Sequence, residues 1–340
     1  MKTSDFFYEL PERLIAQTPV EPRDHSRLMV VNRATGEISH RHFYDITGYI
    51  NPEDALVINE TRVMPARLTG DRNGSPCEIL LLKELTPTTW ETIVKPGKKL
   101  RPGAVVTFGG GALTARIVDV TDQGGRIVAF DVKSGELEAA FDALGEMPLP
   151  PYIHEKLEDG DRYQTVYARR RGSAAAPTAG LHFTPELLGK IGDKGTDIVP
   201  VLLHIGLGTF RPVKVENVED HHMHSEYYQV TPDAARRVNA ARKRAGRAIC
   251  VGTTSVRTLE SSSTGEGELI PGSGDTEIFI KPGYRFKMVD ALITNFHLPG
   301  STLLMLVSAF MGRELALDAY EIAVKEEYRF FSFGDAMLII

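Results

Sequence analysis

Three separated segments each set a histidine close to a phenylalanine among turn-forming residues: GSAAAPTAGLHF (Gly172 to Phe183), HIGLGTF (His204 to Phe210) and TNFHLPG (Thr294 to Gly300). An imidazole exchanges protons near neutral pH, and a phenyl ring offers a flat face for a heterocycle. Glycine and alanine beside them let backbone N–H groups come close to a ligand, and Pro177 fixes one φ angle. Taken singly, each segment also reads as a tight loop around a core histidine. Together they describe what an α/β fold presents at the carboxyl ends of its strands, where such folds bind ligands.

A fourth segment is denser. His221, His222, Met223, His224, Ser225 and Glu226 are followed by Tyr227 and Tyr228, in a chain with 10 histidines. In an extended strand the period of two sends His222, His224 and Glu226 to one face. Such a row can relay protons, hold a cation or ligate a metal, and it equally suits a polar strand edge. No cysteine lies nearby and no H-E-x-x-H pattern occurs, so no metal is expected. A further polar group gathers where the apolar run Ile249 to Gly252 meets Thr253, Thr254 and Ser255 ahead of the helical Val256 to Glu260, a combination that offers N–H and hydroxyl donors to an anion. Gly206-Leu207-Gly208 is only a fragment of a dinucleotide loop.

These residues need a frame, and the composition supplies limits for it. The chain has 340 residues, 42% hydrophobic and 25% charged, with a net charge of −6. That is enough chain for two cores. Cys77 and Cys250 cannot build a disulfide framework, which suits a reducing cytosol. The start, MKTSDFFYELP, is acidic and broken by Pro11, so no signal peptide is expected. Leu303 to Met311 is apolar but too short to span a bilayer. A cytoplasmic protein without membrane contact is therefore expected. The acidic total does not advertise nucleic-acid binding, yet Arg169, Arg170 and Arg171 form a basic triplet, and Arg236, Arg237, Arg242, Lys243, Arg244 and Arg247 cluster around a helix expected over 231–245. A solvated helix face and an RNA-docking patch are both open readings of such clusters.

The pattern of elements changes twice along the chain. Between about Val63 and Val132, short β-rich runs are separated by glycine turns at Asn73-Gly74, Pro96-Gly97, Gly109 to Gly111 and Gly124-Gly125, as in a small barrel or sandwich. After Asp197, strand-like runs at Ile198 to Leu203, Ile249 to Gly252, Thr276 to Ile280, Ala291 to Thr294 and Met337 to Ile340 interleave with helical stretches, which is an α/β signature. The expected fold is a larger α/β domain, 1–62 and 152–340, carrying an inserted all-β, barrel-like domain, 63–151, with a proline-rich border at Pro148, Pro150 and Pro151.

Longer motifs narrow the assignment. YELPERLIAQ, RDHSRLMV, NETRVMPARL, YQTVYA, GSAAAPTAGLHF, HIGLGTFRPV, HHMHSE, GTTSVRTLE, ITNFHLPGSTLLMLVSAF and FFSFGDAMLI occur in this order from Tyr8 to Ile339. Together they resemble the S-adenosylmethionine:tRNA ribosyltransferase-isomerases of the queuosine pathway, over essentially the whole chain. The resemblance implies transfer of the ribosyl carbons of S-adenosylmethionine to the amine of 7-aminomethyl-7-deazaguanine at the tRNA wobble position, with rearrangement to epoxyqueuosine and loss of adenine and methionine. S-adenosylmethionine would be consumed as a substrate, no cofactor is expected, and tRNA would be the macromolecular partner, with no protein partner foreseen.

Such a reaction needs several proton-transfer groups, because the carbon beside a sulfonium must lose a proton, adenine leaves better when protonated, and the RNA amine must be neutral to attack. Histidine suits that task. The expected catalytic set is His182, His204, His222, His224 and His297, with Glu226 as a counter-charge. Phe183, Phe210 and Phe296 are expected to stack a base, with Gly180 and Asn295 beside them in the pocket wall. Gly206, Gly208, Thr209, Thr253, Thr254 and Ser255 are expected to hold the methionine carboxylate. Arg169, Arg170 and Arg171 are expected to contact tRNA. The rival readings are a metal hydrolase built on His222 and His224, and an RNA-binding protein without catalysis.

Overall fold

The computed structural model describes residues 1–121, 124–133, 135–155, 157, 159–206, 213 and 215–340. Two compact units divide them: Met1–Thr61, Pro151–Arg169 and Pro177–Ile340 form the first, Arg62–Pro150 and Arg170–Ala176 the second. The first begins with β1 (Arg27–Val31), β2 (Ile38–His42) and β3 (Ala55–Asn59).

The second unit follows through β4 (Thr61–Val63), β5 (Arg67–Arg72), β6 (Ser75–Thr86), β7 (Thr89–Lys95), β8 (Val105–Phe108), β9 (Leu113–Val120) and β10 (Arg126–Phe130), then α1 (Leu137–Leu144), β11 (Gly145–Glu146) and, later, β12 (Arg170–Ser173). Strands β5-β6-β7-β10-β9-β8 pair antiparallel, and β5 also pairs with β8, so the sheet closes into a six-stranded barrel with β11 appended to β5. Closure follows from the sequence: alternating residues such as Ile79, Leu81, Val106, Phe108, Ile117 and Val128 point inward, and a closed sheet leaves no hydrophobic edge exposed. The glycine turns expected between these strands sit between them, with Asn73 and Gly74 both at positive φ. Two features escape strand periodicity. Helix α1 sets Phe141 edge-on to Trp90 and Phe130, with ring centroids 5.7 and 5.2 Å away. Residues 170–176, placed by composition in the α/β part, belong to the second unit because β12 pairs with β4.

The first unit continues with α2 (Pro185–Asp193), β13 (Asp197–Leu203), β14 (Glu226–Val230), α3 (Pro232–Lys243), β15 (Ala248–Val251), α4 (Gly252–Ser261), β16 (Gly272–Thr276), β17 (Ala291–Asn295), α5 (Thr302–Met311), α6 (Arg313–Lys325) and β18 (Ala336–Ile339). Among the described residues one mixed sheet runs β16-β14-β13-β3-β15-β17-β18-β1-β2. Its centre, β13-β3-β15-β17, is parallel, so these four strands end at the same edge. Central strands buried on both faces are mostly apolar, and Ala55–Asn59 and Ala291–Asn295 are buried at every position, with polar side chains only at their carboxyl ends. Helix starts obey capping chemistry: Thr184, Thr231 and Ser301 accept the N–H groups of Leu187, Ala234 and Leu304, with proline at the first helical position of α2 and α3.

One expected strand is displaced. The sequence places a strand over Thr276 to Ile280, whereas β16 covers Gly272–Thr276. The cause is register: Thr276 lies opposite Glu226, the first residue of β14, and beyond it no partner strand continues. The chain leaves the sheet there, and Ile278, Phe279 and Ile280 turn to another task.

Close packing at glycines gives a direct test of this architecture. A Cβ on Gly246 would lie 2.0 Å from the carbonyl oxygen of Glu53, which is backbone and cannot yield, whereas one on Gly189, exposed within α2, would meet nothing within 4 Å. Gly246→Ala should destabilise by roughly 1–3 kcal/mol, and Gly189→Ala should stabilise by roughly 0.5–1 kcal/mol. Urea melts of the two variants check this; the same sign of change in both would contradict the packing described.

Candidate functional site

The shared carboxyl edge of β13, β3, β15 and β17 gathers most of the chemistry-bearing residues. Asn59, at the end of β3, locks this edge: its amide donates to the Leu203 carbonyl at 2.9 Å and accepts from Leu203 N–H at 3.1 Å and Thr61 N–H at 3.2 Å. Thr61 in turn meets His204 Nδ1 at 2.8 Å, and the His204 ring stacks against Tyr227 with centroids 6.0 Å apart. His204 thus stands where β13 ends, with Nδ1 held by Thr61.

His182 reaches the same edge from the 3-10 turn Thr178–His182, which packs on β17 and α4. Its Nδ1 lies 2.7 Å from Ser26 Oγ and its Nε2 3.1 Å from Asn295 Nδ2, while its ring stacks on Phe43 at 4.9 Å. The Asn295 amide nitrogen also donates to the Phe331 carbonyl, and its oxygen accepts from Thr178. With an amide donating to Nε2, the ring proton belongs on Nδ1, donated to Ser26. The ring is therefore neutral. Burial, aided by Arg329 and Arg23, pushes the imidazole down to about 3. His297, just after β17, is also buried, paired with Thr294 Oγ1 at 2.8 Å, and burial pushes it down to about 3 as well. Burial thus disfavours the protonated form of both rings, and each is held in place by hydrogen bonds to its neighbours.

The aromatic expectations give way in the same region. Phe183 is fully buried and edge-on to Phe43, and Phe296 is fully buried among Tyr320, Tyr328 and Phe330. Both rings have core partners and no exposed face for a base. Gly180 is close-packed instead of ligand-facing: a Cβ there would lie 2.0 Å from the Tyr167 hydroxyl. Ser255 Oγ donates to the Val251 carbonyl within its own helix. Thr253 is buried, and Thr254 Oγ1 is buried with no partner among the described residues, as are the Thr165 and Tyr167 hydroxyls. Gly208, Thr209 and Phe210 lie outside the described residues.

A second assembly forms at the histidine row. Only Glu226 of that row belongs to a strand; residues 221–225 precede β14 without sheet pairing, so the expected alternation does not operate there. His221 and His224 line a crevice with Met223, Glu226, Arg257, Ile278, Phe279, Ile280 and residues of α5, whereas His222 is exposed and outside it. His221 meets Phe279 edge-on at 5.4 Å, and burial together with His224 and His222 lowers its pKa. Glu226 accepts from the Gly206 N–H at 3.0 Å and from Arg257 Nη1 in a buried ion pair. Glu226, expected as a counter-charge, shares its carboxylate with this guanidinium. Arg257 and His221 were missed in the sequence. For Arg257, residues 253, 256, 257 and 260 share one helical face, which the structure shows to be buried, and a charge on a buried face demands a partner. Among the described residues no cluster of three or more histidine, cysteine, aspartate or glutamate side chains could hold a metal.

Of the basic triplet, Arg169 and Arg170 are exposed, while Arg171 is half-buried and paired with Asp142 and Glu138 of α1. No helix among the described residues is long and apolar enough to cross a membrane.

The comparison with known proteins decides what this arrangement belongs to. A family model described as queuosine biosynthesis protein matches residues 3–339. The chain belongs to the queuosine biosynthesis protein family. Within the family it is 60% identical to the S-adenosylmethionine:tRNA ribosyltransferase-isomerase of Moorella thermoacetica and 61% identical to that of Symbiobacterium thermophilum, each over 100% of both chains. A crystal structure of S-adenosylmethionine tRNA ribosyltransferase from Thermotoga maritima superposes with a TM-score of 0.59 at 41% identity, covering 99% of this chain and 100% of that one. The family fold of barrel plus mixed sheet is the one expected from the sequence.

The buried histidines make the stability of this family member pH-dependent. Both have folded pKa values below the ordinary 6.5, so above that value they are neutral in both states and contribute no slope. As pH falls from about 6.5 towards 3, the unfolded chain binds protons that the folded chain refuses, and stability is lost, about 2 kcal/mol per histidine by pH 5. His297→Gln, which keeps a hydrogen-bonding group near Thr294, should reduce the loss between pH 7 and pH 5 by about that amount. Denaturant melts at the two pH values check this, and an unchanged difference would show that His297 takes up its proton without unfolding.

Proposed function

We propose that the protein transfers and isomerises the ribosyl moiety of S-adenosylmethionine onto 7-aminomethyl-7-deazaguanine at the wobble position of tRNA, giving epoxyqueuosine-tRNA and releasing adenine and methionine. The observation that carries this reading is family membership over residues 3–339, with full-length relatives named for that transfer. S-adenosylmethionine is a substrate here, and no separate cofactor enters. The cytoplasm, where tRNA is found, is the compartment.

The chemistry assigns different tasks to the two groups of histidines. A base must take the C5′ proton beside the sulfonium, an acid must meet the departing adenine, and the RNA amine must shed a proton before it attacks. His221 and His224 line an open crevice beside the Glu226–Arg257 pair, and proton transfer is assigned to this pair of rings. His182 and His297 are buried and neutral, so their part is to hold the edge of the sheet in shape. His204 stands between, one nitrogen on Thr61 and its ring against Tyr227. Arg169 and Arg170, exposed, are assigned to the tRNA phosphates, and Arg171, paired with Asp142, contributes less.

Incubating the protein with S-adenosylmethionine and an RNA stem-loop bearing the deazaguanine should release adenine and methionine in equal amounts, and only when the aminomethyl group is present. Chromatography of the small products checks this. Recovery of S-adenosylhomocysteine would instead mean methyl transfer and end the proposal.

The same assay separates the crevice histidines from their exposed neighbour. His224→Ala should lower kcat by roughly 10²–10⁴ with much less change in S-adenosylmethionine affinity, while His222→Ala should stay within a few-fold of the parent protein. A larger loss for His222→Ala than for His224→Ala would remove the crevice from the catalytic assignment.

A further inference from the structure

The guanidinium of Arg257 is half used. Its side chain is 7% exposed, Nη1 is bound to Glu226, and Nε and Nη2 are buried with no hydrogen-bond partner among the described residues. Leaving two donors of a cation unsatisfied in the interior is costly, and proteins rarely retain such groups without a use for them. Arg257 also lines the crevice, together with the apolar side chains of Ile278, Ile280 and Leu306.

The two vacant donors have a shape. Nε and one Nη on the same side of a guanidinium form a fork whose spacing matches the two oxygens of a carboxylate, and Glu226 has taken the other nitrogen, leaving that fork without a partner among the described residues. We infer that Arg257 is the specificity residue for the amino-acid end of the donor, binding the α-carboxylate of S-adenosylmethionine in bidentate fashion while the methionine chain lies along Ile278, Ile280 and Leu306. This rests on the reaction proposed above and places the methionine carboxylate at Arg257, away from the Thr253 to Ser255 helix start.

Three observations favour a carboxylate on an aliphatic chain over an RNA phosphate. The guanidinium is too deep for a solvated polyanion backbone, the walls beside it are apolar, and the Glu226 carboxylate repels any anion that comes alone, as a phosphodiester does, whereas an amino-acid carboxylate brings an α-ammonium that offsets this repulsion. Glu226 in turn holds the guanidinium plane by its bond to Nη1 and is itself held by the Gly206 N–H.

The test compares S-adenosylmethionine with decarboxylated S-adenosylmethionine, which differs by that one group. Affinities for both are measured by equilibrium dialysis, with and without an unmodified RNA stem-loop, on the parent protein, R257Q and R257K. The parent should prefer the carboxylated donor by roughly 10- to 100-fold. R257Q should lose that preference, binding both donors about equally with little change for the decarboxylated one. R257K, which keeps the charge but not the fork, should fall between. A preference that survives in R257Q overturns the inference. Because R257Q strands Glu226 without a partner, its folding is checked by melting, and if it does not fold the R257K ratio decides: a parent-like preference in R257K overturns the assignment. Equal affinity of the parent protein for the two donors overturns this inference alone, whereas no binding of either donor removes the proposed reaction and this inference together.

Discussion

The buried pair of Glu226 and Arg257 is the constraint from which the rest of the crevice follows. Glu226 is the first residue of β14 and Arg257 lies in the second turn of α4, so one ion pair joins an antiparallel edge of the sheet to the helix that follows its parallel centre. Desolvating both charges costs several kcal/mol, and their attraction offsets this only when the remaining donors and acceptors are satisfied. Among the described residues Glu226 meets that condition through Gly206, and Arg257 does not. Such a pair is a poor device for stability alone. It is a good device for holding a cation in a fixed orientation beside apolar walls, where any interaction with an anion is undiminished by water.

Environment divides the histidines more sharply than sequence proximity does. His182 and His297 are buried at the strand edge, each in a hydrogen bond that needs no charge, and both are neutral well below physiological pH. His221 and His224 line a crevice beside a carboxylate and a guanidinium. Local motifs cannot show this division, since every one of these rings stands near a phenylalanine or another histidine in the chain. What separates them is whether the neighbouring strand has a partner. Where β14 and β16 run out of register at Glu226 and Thr276, the chain on both sides leaves the sheet and opens the crevice; where β17 is enclosed by β15 and β18, the following histidine is buried.

The fold was legible to the extent that periodicity carries it. Alternating apolar residues with glycine turns predicted the barrel, and interleaved strands and helices predicted the α/β unit, because both patterns arise from burial of one face. Helix α1 and the return of Arg170–Ser173 to the second unit were not legible, since each depends on a tertiary partner: Trp90 and Phe130 for α1, and β4 for β12. At the site, the histidine segments were found but their roles were blurred. The aromatic residues Phe183 and Phe296 illustrate why: a ring next to a turn reads the same whether it faces a ligand or a core. Arg257 was overlooked for the opposite reason, because a helical arginine ordinarily reads as solvated, and only the unbroken burial of Thr253, Val256 and Glu260 beside it exposes the anomaly.

The small-residue segment Gly172 to Phe183 shows how a pocket-like composition can arise from packing. Its glycine at 180 lies against the Tyr167 hydroxyl and the Thr165 methyl so closely that no side chain fits, and its Ala179 meets Gly252 at the start of α4. These contacts draw the 3-10 turn onto α4 and β17, which is what carries His182 to Asn295 and Ser26. The hydroxyls of Thr165, Tyr167 and Thr254 remain buried around the same turn, without partners among the described residues. Small residues here therefore act through proximity: they let three elements approach within side-chain reach, and the polar groups caught between them set the position of a neutral histidine. The same shortage of Cβ atoms that suggested room for a ligand is what removes that room.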